Sequence, residues 1–131
     1  MVIHHVQVTC PTGAEDEQRG FYTGVLGWTE LPKPPLLAAR GGCWFEVPGG
    51  GEVHVSVEDD FRPARKAHPA FVVDVEQVAE AVEAAGHPVV WADPAEIPGR
   101  LRFHTFDAVG NRVEFLASQK PVEGGVGVVQ H

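Results

Sequence analysis

RFHTFDAVGNRVEFL, residues 102–116, is two strands and the turn between them, and its pattern sets how the rest of the chain is read. One strand runs from Leu101 to Phe106 and the other from Arg112 to Ala117. Asp107 to Asn111 supplies the Asp, Gly and Asn that a tight connection demands. Alternation puts Arg102, His104 and Phe106 on one face of the first strand, and sets Glu114 opposite Val113 and Phe115 on the second. A carboxylate facing away from an apolar stripe is free for chemistry rather than spent in a core.

Working outward, three histidines have the same placement. His5 in HVQVT, His54 in EVHVSV and His68 in HPAFVV each lie in a strand-like run whose apolar neighbours point the other way. The order of elements repeats as well. The first half reads as a strand from Val2 to Thr9, a helix entered through Glu15 to Glu17 and carried by Phe21, Val25 and Leu26 to a stop at Gly27, and a short strand from Trp28 to Leu31. A proline loop (Pro32, Pro34, Pro35) follows as a pocket rim, and then two strands, Gly41 to Val47 and Glu52 to Val57. The second half reads as a strand from His68 to Val73, a helix capped by Asp74 with Val75, Val78, Ala79 and Val82 on one face and Gly86 past its end, and strands at His87 to Ala92, Leu101 to Phe106 and Arg112 to Ala117. The chain is therefore an α+β fold of two repeated βαβββ modules curled around a central cavity. Residues 1–118 form one domain: module one covers about 1–58, a connector 59–67 and module two 68–118, with a tail at 119–131 that has no readable period. In each half one candidate ligand opens the first strand and the other sits mid-way along the last. The expectation is that His5, His54, His68 and Glu114 converge on one divalent metal ion.

Composition bounds the function. A chain of 131 residues, 44% hydrophobic and 21% charged, suits one core. A net charge of −8 argues against nucleic acid or an anionic membrane as partner. There is no signal-like apolar stretch and no run long enough to span a bilayer, so the expectation is a cytoplasmic protein. Cys10 and Cys43 are too few for a disulfide scaffold and read as packed thiols. No nucleophile elbow or phosphate loop is present.

The stretches HHVQV, FYTGVLGW, EVHVSV, AHPAFVVDV and RFHTFDAVGNRVEFL together resemble the vicinal oxygen chelate superfamily, which includes glyoxalase I, fosfomycin-resistance thiol transferases, extradiol dioxygenases and bleomycin-binding resistance proteins. The resemblance covers roughly residues 2–117. It implies a glyoxalase-like fold and places His5, His68 and Glu114 on the metal positions of the dioxygenases and fosfomycin transferases. His54 falls where glyoxalase I has a carboxylate, so an isomerase mechanism using two symmetric carboxylates does not carry over intact. His104 stands where relatives often place a substrate-contacting tyrosine. With Arg102 it is the candidate catalytic residue.

Imidazoles with one carboxylate suit Fe, Mn, Ni, Co or Zn and leave positions open for substrate oxygens. The leading reading is a metal-dependent enzyme of glyoxalase or dioxygenase type acting on a small oxygenated molecule, as a homodimer. A metal-free drug- or metabolite-binding protein and a fosfomycin-type thiol transferase, with Arg62, Lys66 and Arg102 on a phosphonate, stay open beside it. Trp44 and Glu46 alternate onto the pocket face; His4 is expected to face the helix side with Val6 and Val8. Arg62, Arg65 and Lys66 read as a solvated connector, and His87 and His131 as surface residues.

Overall fold

A computed structural model describes residues 1–119; the rest of the tail, His131 included, lies outside the described residues. Strand β1 (His5–Cys10) leads into α1 (Glu15–Arg19), which continues as a wider π-helical segment over Gly20–Val25. Then come β2 (Thr29–Leu31), α2 (Pro35–Ala38), β3 (Cys43–Glu46) and β4 (Glu52–Val57). The second half runs β5 (Ala70–Val72), α3 (Val75–Ala84), β6 (Val90–Trp91), β7 (Arg102–Phe106) and β8 (Arg112–Leu116). The two four-stranded sheets have the orders β1-β4-β3-β2 and β5-β8-β7-β6. In each, the first strand pairs in parallel with the last and the remaining pairs are antiparallel. The βαβββ order and its sheet topology thus occur twice.

Alternation sorts the faces as the sequence indicates. Val53 and Val55 of β4, Phe103 of β7, and Val113 and Phe115 of β8 are buried, together with Phe21, Tyr22 and Phe45. The opposite face of the same strands carries His54, Arg102, His104 and Glu114. Asp74 caps α3, its carboxylate accepting from the Gln77 N–H at 3.3 Å, and Gly86 takes φ +89° past the helix end.

Several boundaries differ from the sequence reading, each for a local reason. The first helix is α-helical only to Arg19. Beyond it the Leu26 N–H reaches back to the Phe21 carbonyl, the longer register of a π turn, in a stretch where Gly20 and Gly24 lower α-helical propensity. That turn buries the sequence neighbours Phe21 and Tyr22 together. His68 precedes its strand instead of opening it, because Pro69 has no N–H for a ladder. The strand expected at His87 to Ala92 shrinks to two residues: the His87 N–H is bonded to Val82 at the helix end and Pro88 follows. The strand expected from Gly41 begins at Cys43, since Gly41 and Gly42 take φ of +77° and +86°. The proline loop contains the one-turn α2, started by Pro35.

One buried polar knot joins the two halves. Asp107 Oδ2 accepts from Gln18 Nε2 at 2.9 Å, Tyr22 OH at 2.8 Å and Asn111 Nδ2 at 3.0 Å. Its Oδ1 accepts from the Val109 and Asn111 N–H groups at 3.1 and 2.9 Å, and Asn111 Nδ2 also reaches the Thr9 carbonyl at 2.8 Å. The turn of the opening sequence stretch is thereby tied to β1 and to the first helix.

Candidate functional site

The site residues lie on the strand faces turned away from the core, as two pairs. In the first sheet His54 is register partner to both Gln7 of β1 and Trp44 of β3. Three rings form a column: His5 stacks on His54 at 3.9 Å between centroids, and His54 stacks on Trp44 at 4.1 Å. His54 Nε2 lies 2.8 Å from Glu52 Oε1. The bond to His54 holds the Glu52 carboxyl below the ordinary carboxylate range, while burial lowers the His54 imidazole more than Glu52 raises it. A neutral His54 beside an ionised acceptor carries its proton on Nε2 and leaves Nδ1 as a lone pair.

In the second half His68 Nδ1 lies 2.6 Å from the Lys66 carbonyl and Nε2 lies 2.9 Å from Glu114 Oε1. A carbonyl only accepts, so Nδ1 carries the hydrogen, and in neutral His68 the Nε2 lone pair faces a carboxylate oxygen. Burial pushes the Glu114 carboxyl up, but hydrogen bonds from His68 and Arg102 outweigh this and hold it below the ordinary range. Two acceptors so close require a cation between them or a proton on His68. Arg102 fixes the other Glu114 oxygen, donating from Nε to Oε2 at 3.1 Å and from its terminal nitrogen to Glu96 at 3.0 Å.

The four expected ligands therefore do not meet at one centre: among the described residues no group of three or more His, Cys, Asp or Glu side chains closes on a metal-sized point. The reason is positional. His5 and His54 are bound into the stack of the first sheet, and His68 and Glu114 into the register of the second. Both pairs nonetheless border clefts, and His5, Glu52, His68 and Phe71 line one of about 380 Å³. A larger cavity of about 620 Å³ lies over His54 and Trp44.

Other residues fall as follows. His104 is register partner to Glu114. Burial and then the Arg112 guanidinium lower its imidazole, and Arg112 donates toward Nδ1 at 3.4 Å, which leaves Nε2–H as a donor. Arg102 is a clamp on Glu114 and Glu96 rather than a free cation. Trp44 is a cavity wall, whereas Glu46 is exposed on its strand. His4 departs from its expected packing on the helix side: it is exposed, its Nδ1 lies 2.9 Å from His5 Nδ1, and its Nε2 lies 4.0 Å from Glu52. It lies ahead of β1, where strand alternation does not constrain it. His87 is half-buried rather than a surface residue, bonded to the Phe106 carbonyl and edge-on to Phe21. Arg62 lines a cleft with His68 and Arg112, while Arg65 and Lys66 are exposed. Cys10 and Cys43 are buried free thiols, burial pushing Cys43 up to about 12. Glu52 was missed by the sequence reading, although it shares a strand face with His54 two residues on.

A structure of a glyoxalase family protein from Bacillus anthracis superimposes with a TM-score of 0.82 at 42% sequence identity, covering 89% of this chain and 94% of that one. The chain belongs to the glyoxalase family. More distant structures share the fold of this glyoxalase-family chain. A lactoylglutathione lyase from Agrobacterium tumefaciens has a TM-score of 0.67 at 20% identity, covering 90% of this chain and 94% of that chain. The fosfomycin resistance protein FosX from Listeria monocytogenes has a TM-score of 0.69 at 14% identity, covering 94% and 96%. No protein-family model matches the sequence, and a search of curated proteins finds no match. These neighbours are consistent with the vicinal oxygen chelate superfamily that the sequence stretches resemble. Among the described residues, no helix is long and apolar enough to cross a membrane.

Proposed function

We propose that this protein is a divalent-metal-dependent enzyme of glyoxalase or dioxygenase type that acts on a small oxygenated molecule. The observation that carries this reading is the facing pair His68 and Glu114. The imidazole is oriented by a backbone carbonyl and the carboxylate by an arginine, and His68 Nε2 and Glu114 Oε1 are left 2.9 Å apart, a gap that holds either a proton on His68 or, in this reading, a cation. This is the outer-shell pattern that prepares metal ligands. The donor set fits Fe, Mn, Ni, Co or Zn, with His68 and Glu114 as ligands and His5 and His54 completing the set. Because the pairs are separate within one chain, a homodimer that brings His5 and His54 of one subunit to His68 and Glu114 of another is part of the proposal. When bound, the metal would polarise adjacent substrate oxygens and carry developing negative charge.

The chain's own residues supply the rest. Glu52 sets the His54 tautomer, leaving an unprotonated nitrogen. Arg102 holds Glu114 ionised and fixed. His104, kept neutral by burial and by Arg112, is placed beside Glu114 with Nε2–H free to donate a hydrogen bond to a substrate oxygen. The test is metal analysis of protein purified without chelator, with His68→Ala and Glu114→Ala alongside. Stoichiometric metal in the wild type and its loss in both variants is the expected result; a metal-free wild type that takes up none of the five candidate ions removes the proposal. A cytoplasmic location belongs to the same reading and is checked by fractionation.

A further inference from the structure

The cavity over His54 and Trp44 carries a charge pattern that the metal reading leaves unused. About 620 Å³ in volume, it has the size of a small-molecule site. Its floor is the polar face of the first sheet, with Gln7, Trp44, His54 and Ser56. Its rim is the segment around α2, which contributes Lys33, Leu37 and Arg40.

The chain has 18 acidic and 10 basic residues, yet no aspartate or glutamate lines this cavity while two of its cations do. Neither cation is neutralised: among the described residues the Arg40 side chain has no hydrogen bond or ion pair, and Lys33 Nζ donates only to the Gly41 carbonyl. Glu15, which accepts from the Gly42 N–H at 3.1 Å, is not among the residues lining the cavity. His54 is covered on both ring faces by His5 and Trp44, so it meets the cavity by its ring edge, and the positive charge of the lining comes from Lys33 and Arg40. A local positive field in an otherwise acidic protein selects and concentrates anions.

We propose that this cavity is the substrate pocket and that its substrates are small organic anions, a carboxylate or phosphonate group seated between Lys33 and Arg40 while the body of the molecule lies along Trp44 toward His5 and His54. The inference rests on the metal-enzyme reading for what happens at the histidine end, but the anion seat stands without it.

Benzoate and phenylphosphonate, with benzamide as the neutral isostere, are titrated into wild type, Lys33→Met, Arg40→Gln and the double variant by calorimetry. Each titration is run on chelator-treated and on metal-loaded protein, and thermal melts confirm folding. The expected result is saturable binding of the anions over benzamide in both preparations. Affinity should fall about tenfold for each cation removed and decline with added salt. Equal binding of anion and amide, no saturable anion binding, or undiminished affinity in a folded double variant overturns the anion seat. Loss of metal binding with the anion preference intact overturns the metal reading alone, so the two failures are distinguishable.

Discussion

Replacing Asp107 by Asn changes one atom in the joint between the two halves and should cost several kcal/mol. The Oδ1 bonds to Val109 and Asn111 can persist, but Oδ2 becomes an NH2 group facing the donors Gln18 Nε2, Tyr22 OH and Asn111 Nδ2, all within 3.0 Å. Asp107, Gln18, Tyr22 and Asn111 are at most 5% exposed, so water cannot readily replace the lost acceptor. Hydrogen bonds to a charged group contribute about 1.5–3 kcal/mol each. The three are not additive, the Tyr22 hydroxyl can turn to accept from the new NH2, and the Gln18 amide, whose Oε1 has no partner among the described residues, can flip to do the same, so a net loss of about 2–4 kcal/mol follows. Against a total stability of about 5–15 kcal/mol, that lowers the melting temperature by roughly 10–20 °C for a domain of this size. Urea unfolding followed by circular dichroism measures it. Tyr22→Phe, which removes a single donor, should lose only about 1–2 kcal/mol. An Asp107→Asn protein within about 1 kcal/mol of wild type would refute the argument that this carboxylate locks the halves together.

The Glu114 carboxyl is held below its unfolded value, so its contribution is present above the ordinary glutamate range and lost as pH falls through the depressed folded value. The acid limb of the stability curve should therefore flatten in Glu114→Gln, as read from urea midpoints across pH. The same sign holds for His54, whose folded imidazole is lowered: burying it neutral stabilises above the free-histidine value and the benefit fades as pH falls below it, a dependence that His54→Gln should remove. Glu52→Gln takes the charged acceptor from His54 and should weaken metal affinity about tenfold or more by competition titration with little change in the melt. Gly42→Ala should fail to fold or lose more than about 2 kcal/mol, because a Cβ would sit 2.1 Å from the Val55 carbonyl oxygen at φ +86°.

The amino-acid pattern was enough to give the order of the strands and main helices and the faces of the long strands. Period-two alternation assigned His54, Glu114, Arg102 and His104 to one side and Val53, Val55, Val113 and Phe115 to the other, because side-chain direction along a strand follows from backbone geometry alone. The repeat of strand, helix and three strands was legible for the same reason. Tertiary structure decided what local pattern cannot encode. Parallel pairing of β1 with β4 sets His54 between His5 and Trp44, and the bonds of Lys66 and Arg102 choose the tautomer of His68 and the orientation of Glu114. The distance between the two ligand pairs likewise depends on how two sheets dock, and residues as far apart as Gln18, Thr9, Asp107 and Asn111 set that docking by meeting in one buried knot.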